Sequence, residues 1–150
     1  MAVVRCRGCG GLNNYGGVRP GKVARCGVCR VALDVSGKFQ GVRVDELDRA
    51  VEGSPVPVLA LVWDPADPTC RRASAALDRV SVENVGAVLA LTVDVEVHPG
   101  FADARSIDSV PTFLMFRGGR EIERRRGLLA EDAIARWVLD GLAPATVHGA

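Results

Sequence analysis

Four of the five cysteines stand as two Cys-x-x-Cys pairs, Cys6 with Cys9 and Cys26 with Cys29, and sixteen residues separate the pairs. A Cys-x-x-Cys turn lets two thiolates reach one ion, and Gly8, Gly10 and Gly27 supply the unusual backbone angles such a turn needs. Two turns complete a closed tetrahedral S4 site, which is the spacing of zinc ribbons. All four coordination places are filled by sulfur, so the Zn2+ it predicts is structural. Around 30 residues hold too few apolar side chains to fold by burial alone, whereas bound zinc contributes on the order of 10 kcal/mol. Two disulfides are the other way to use the same cysteines. They need an oxidising compartment, and Met1-Ala2-Val3-Val4-Arg5-Cys6 is no apolar leader, so a cytoplasmic location is expected.

The chain has 150 residues, a formal net charge of +1, 48% hydrophobic and 25% charged side chains. That is a globular composition, with room for one domain of about 100 residues and a small appendage. No run approaches the roughly 18 apolar residues of a membrane span. The near-zero net charge argues against a whole-molecule nucleic-acid binder, but the charge is uneven. Residues 1–33 carry six basic side chains (Arg5, Arg7, Arg19, Lys22, Arg25, Arg30) and no acid before Asp34. Tyr15 is the only aromatic among them, and without aromatics for base stacking the segment is not read as a nucleic-acid site.

Beyond the cysteines, the periodicity predicts a short strand and one helix over 34–54, the helix carrying Val44, Leu47, Ala50 and Val51 on one face. Val58 to Trp63 is apolar on both faces, as a central strand covered by helices must be. Asp67 suits an N-cap and Pro68 the first position of a helix over 67–83, with Ala73, Ala76, Leu77 and Val80 as its stripe. A strand is predicted within Val85–Val95, a loop at His98-Pro99-Gly100, a short helical piece at 101–106 and a strand from Ser109. A Gly118-Gly119 hairpin turn, a returning strand over 121–126 and a last helix over 130–142 complete the order β α β α β α β β α. The run Arg124-Arg125-Arg126 reads as protection of an edge strand.

These residues carry a resemblance. Trp63-Asp64-Pro65 leading through Cys70-Arg71 into a helix, Val110-Pro111-Thr112 opening a strand, the Gly118-Gly119 hairpin and Gly127 before the last helix resemble the thioredoxin family over about residues 36–142. With the four-cysteine segment in front, the chain looks like the zinc-ribbon, or thioredoxin 2, type. The resemblance implies a thioredoxin fold, a mixed central sheet flanked by helices, over residues 35–143. A zinc ribbon over 1–34 would precede it and a tail over 144–150 would follow. It also implies a protein-disulfide reductase heritage, in which the first cysteine of a pair at a helix N-terminus attacks a substrate disulfide and the second resolves the mixed disulfide.

The sequence departs from that pattern at the reacting atoms. Asp67 stands at the place of the nucleophile, Pro68-Thr69 between it and Cys70, Ala66 at the place of an exposed tryptophan, and Leu61 at that of a buried aspartate. A carboxylate forms no mixed disulfide, so ordinary dithiol exchange is expected to be lost, leaving at most monothiol chemistry at Cys70. Cys70 reads otherwise as a small buried hydrophobe. By resemblance, Trp63, Ala66, Val110, Pro111 and Gly127 line a groove for extended protein or peptide. A redox-silent interaction module using that groove and the ribbon is therefore the second reading.

Overall fold

The computed structural model describes residues 2–14, 16, 21–127 and 129–142, with the side chains of 131 and 142 aside. Tyr15, Arg19, Pro144 and His148 lie outside the described residues.

Near the N-terminus, β1 (Val3–Arg5) and β2 (Leu12–Asn14) form an antiparallel pair, with the first cysteine turn between them. The remainder is a five-stranded mixed sheet. Its elements run β3 (Gln40–Gly41), α1 (Val44–Gly53), β4 (Val58–Trp63), α2 (Pro68–Glu83), β5 (Leu89–Asp94), α3 (Pro99–Ala104), β6 (Thr112–Arg117), β7 (Arg120–Arg126) and α4 (Glu131–Leu142). The spatial order is β3-β5-β4-β6-β7. β4 is parallel to β5 and antiparallel to β6, so the central strand is β4.

Period-2 alternation divides the core between the two faces of the sheet. Val58, Ala60 and Val62 of β4 join Leu91, Val93, Leu114 and Phe116 in one cluster with Leu47 and Ala50 of α1 and Phe101 of α3. Leu59 and Leu61 join Phe113 and Met115 in the other, with Ala73, Leu77 and Val80 of α2 and Ile134, Trp137 and Val138 of α4. Helices on both faces explain why β4 is apolar throughout.

The element order agrees with the sequence reading, and the differences lie at boundaries. The strand within 85–95 starts only at Leu89, because Val85 to Val88 form a turn closed by an isolated bridge. His98-Pro99-Gly100 is not a loop throughout: Pro99 opens α3, where its missing N–H costs nothing. β6 starts at Thr112 rather than Ser109. Gly118 and Gly119 have φ of 60° and 82°, the paired positive angles of a tight hairpin turn, and Arg117 pairs with Arg120 across it.

β7 is the sheet edge, and three of its four arginines are neutralised locally. Arg124 pairs with Glu121 at 2.7 Å, Arg125 with Glu123 at 3.2 Å and Arg126 with Asp108 at 3.0 Å. Arg125 also lies over the Trp137 ring. Charged side chains fixed along an edge oppose pairing with another strand.

Candidate functional site

The sequence-predicted cysteines come together. The Sγ atoms of Cys6, Cys9, Cys26 and Cys29 all lie within 4.8 Å of one another. The Cys6–Cys29 and Cys9–Cys26 separations are 3.6 Å, close to the ~3.8 Å edge of a tetrahedron with metal–sulfur bonds of about 2.3 Å. A disulfide needs about 2.05 Å, and all five cysteines are free thiols. Backbone N–H groups of Gly8, Gly11 and Val28 donate to the sulfurs of Cys6, Cys9 and Cys26 at 3.3–3.4 Å, so the turns themselves stabilise thiolate. The backbone of Cys29, then that of Val28, draws the Cys26 thiol down to about 6. The donor set fits a soft or borderline cation bound by four sulfurs.

What joins this cluster to the sheet is a residue that sequence reasoning counted only as charge. Arg5, six per cent exposed, donates to Gln40 Oε1 at 2.7 Å and pairs with Glu46 at 3.0 Å, while Gln40 Nε2 returns a bond to the Arg5 carbonyl. Gly10, at φ 78°, leaves room for that guanidinium, since a Cβ there would sit 3.1 Å from Arg5 Nη2. Arg7 pairs with Asp34 at 2.8 Å and donates to the carbonyls of Lys38 and Phe39. Two of the six basic side chains thus tie the cysteine module to the rest of the chain, Arg5 from within and Arg7 at the surface. The weak signal for this was an arginine within the apolar start Val3-Val4-Arg5, on a strand that has to bury one side.

At the far end of the central strands, the register gathers the other candidates. Val62 faces Thr112 across β4 and β6, and Thr112 faces Arg126 across β6 and β7, so Trp63, Pro111 and Gly127 follow one another at the same end of three adjacent strands. Gly127 N–H donates to the Pro111 carbonyl at 2.9 Å. The Val110–Pro111 peptide is cis. Pro111 is buried and Val110 half-buried, and among the described residues neither the N–H nor the C=O of Val110 has a hydrogen-bond partner. Trp63 is half-buried, its ring held edge-on by Phe39 at 5.7 Å, a contact with no signal in the sequence pattern. Phe39 is itself fixed by its N–H to Asp78, at 2.7 Å.

Helix α2 begins at that same end. Asp67 caps it, accepting from the backbone N–H groups of Thr69 at 2.7 Å and Cys70 at 3.4 Å, with Pro68 in the first turn. The orphan donors that would stabilise an anion at a helix start are therefore met by this carboxylate. Ala66 is exposed beside it. Cys70 is fully buried, and burial pushes its thiol above the ordinary value, with the Asp67 and Asp64 carboxylates adding to the rise. Leu61, also fully buried, packs in the α2–α4 cluster. Every other described cysteine belongs to the S4 cluster, so Cys70 has no thiol partner.

A sheet of order β3-β5-β4-β6-β7 with a cis proline opening β6 and a helix starting beside it defines a thioredoxin-like protein. The thioredoxin family profile matches residues 38–140, and the chain belongs to the thioredoxin family. It is similar to chloroplastic thioredoxin M5 of Oryza sativa subsp. japonica, 33% identical over 88 residues, which is 59% of this chain and 51% of that protein. An uncharacterized protein of Mycobacterium tuberculosis is 31% identical over 96 residues, 64% of this chain and 31% of that one. The chain thus spans about half or less of those relatives' length. The solved structure of a mutant thioredoxin from Halobacterium salinarum NRC-1 superposes with a TM-score of 0.67 at 20% identity, over 75% of this chain and 98% of that one, a likeness of fold. No helix among the described residues is long and apolar enough to cross a membrane.

Proposed function

We propose that this chain is a redox-silent polypeptide-binding module of the zinc-ribbon, thioredoxin 2 type, in which a thioredoxin scaffold has kept its groove and lost its dithiol chemistry. The observation that carries the reading is the start of α2. The site where a nucleophilic thiolate would draw on the helix N–H groups is held by the Asp67 carboxylate, which already accepts from two of them. Thiol–disulfide exchange needs a thiolate to attack and a second thiol to resolve the mixed disulfide. Asp67 can do neither, and Cys70 is buried with its thiol pushed up, the opposite of a poised nucleophile. Leu61 supplies no carboxyl to move a proton beneath it. Monothiol chemistry at Cys70 would require opening the core.

Binding asks for less. Among the described residues the backbone N–H and C=O of Val110 are unpaired, the requirement for adding an extended segment by main-chain bonds. Trp63, Pro111 and Gly127 stand at the same end of adjacent strands, and Ala66 is exposed just before α2. The S4 cluster is read as a structural zinc ribbon, because four sulfurs fill the coordination sphere and leave none open for substrate. A cytoplasmic setting, where thiols stay reduced, agrees with five free cysteines.

The test is paired. Reduced, alkylated insulin B chain, labelled with a fluorophore, should bind the zinc-loaded chain equally with and without Cys70→Ser and more weakly after Trp63→Ala. Insulin-disulfide reduction should stay at the uncatalysed rate. Reduction that Cys70→Ser abolishes would restore monothiol catalysis and end this reading.

A further inference from the structure

The outer face of the cysteine-rich module is not used by the fold. Val23, Val28 and Val31 are 63%, 77% and 44% exposed, three of the seven large apolar side chains exposed among the described residues. Neither core cluster takes any residue from 22 to 33. Val28 and Val31 stand against the first cysteine turn: a Cβ on Gly11 would sit 3.5 Å from Val28 Cγ2, and one on Gly8 3.3 Å from Val31 Cγ2. N–H donors tie both turns to their sulfurs, so the valines stand on hydrogen-bonded turns.

Cations neighbour them in the sequence. Arg5 and Arg7 are engaged by Glu46 and Asp34, but Lys22, Arg25 and Arg30 are exposed and meet no carboxylate among the described residues. The backbone holds this group together. Arg25 bridges Ala32 across the second turn, Cys26 N–H donates to the Val31 carbonyl at 2.9 Å, and Arg25 Nη1 reaches the Arg30 carbonyl at 3.4 Å. Arg30, at φ 70°, is the turn's left-handed residue, a conformation that Asn or Gly would adopt more easily.

We propose that this face, Val28 and Val31 with the neighbouring Lys22, Arg25 and Arg30, docks an acidic polypeptide segment bearing apolar side chains on a partner protein. The inference rests on the interaction-module reading and gives it a second surface, built from residues other than those at Val110. Apolar side chains of a partner would cover the valines, which gain nothing from water. Carboxylates around them would meet three cations that pair with no carboxylate among the described residues, which favours both encounter and register. Nucleic acid is the poorer fit: valine has no ring to stack on a base, and the described residues of this module include no aromatic.

The test uses the full zinc-loaded chain and a labelled peptide alternating Glu or Asp with Leu or Val. Binding should weaken at least ~10-fold with Arg25→Glu plus Arg30→Glu, equivalent to about 1.4 kcal/mol, and similarly with Val28→Asp. It should fall with salt and be indifferent to Trp63→Ala. On the unmodified chain, amide shifts on adding peptide should centre on Val28, Arg30 and Val31, which keeps the test valid if a variant misfolds. A peptide with Lys in place of the acids that binds as well, shifts centred on Val110 and Gly127, or displacement by a single-stranded oligonucleotide would each overturn the inference. Loss of this binding with insulin B chain still held would leave the groove reading standing; the reverse result would remove the groove and keep the ribbon face.

Discussion

Asp67 and Cys70 sit three residues apart with opposite assignments, one capping a helix and the other filling the core. Replacing Asp67 by Ala frees the N–H groups of Thr69 and Cys70 and is expected to cost about 1 kcal/mol in urea unfolding. Asp67→Cys should cost a similar cap but, on mild oxidation, form a disulfide with Cys70, seen as the loss of two titratable thiols in the unfolded protein. A chain that retains both thiols would mean the α2 start is not held as described. Catalysis should not return with it, because Leu61, buried in the cluster under α2, offers no carboxyl. The cap and the helix were legible in the sequence, since each depends on local order: Asp before Pro, then a stripe at helical spacing. The edge-on contact of Phe39 with Trp63 was not, because it joins residues far apart whose meeting depends on how the strands are laid side by side.

Among the elements, β1 shows the same division. Its pairing with β2 follows from the two cysteine turns, but its docking depends on Arg5 reaching Gln40 and Glu46 on β3 and α1, which no periodicity contains. Arg5→Met should destabilise by about 2–3 kcal/mol, because the buried Gln40 side chain and the Glu46 carboxylate would lose their partner. Calorimetry of the full chain would measure it. Glu46 gives the same contact a pH dependence. The Arg43 backbone N–H, then Arg5, holds its carboxyl below the ordinary carboxylate range. Its contribution to stability is thus complete above the unfolded value of about 4.3 and is lost as pH falls through the lowered folded value. Glu46→Gln should flatten that acid limb, which urea midpoints across acid pH would show. The strands β4 to β6, by contrast, were readable almost residue by residue. Alternate side chains go to alternate faces there, and only boundaries set by turns, such as Val85 to Val88, escaped.

At the scale of the molecule, two stabilising strategies meet: a sheet held by two apolar layers, and a small module whose apolar content is too low to fold it alone. Removing metal with a chelator should therefore unfold the module while the sheet persists. Hydrogen exchange would show protection lost across β1, β2 and both cysteine turns and kept across β4, β5 and β6. The central claim is that the scaffold binds without exchanging disulfides, and the most direct measurement is alkylation of the native, metal-loaded chain by a small thiol reagent, followed by peptide mapping over time and pH. The account predicts that Cys70 stays unmodified near neutral pH until the protein is unfolded. Rapid modification of Cys70 in the folded protein would contradict it, since it would reveal the accessible thiolate that the buried, carboxylate-flanked site excludes.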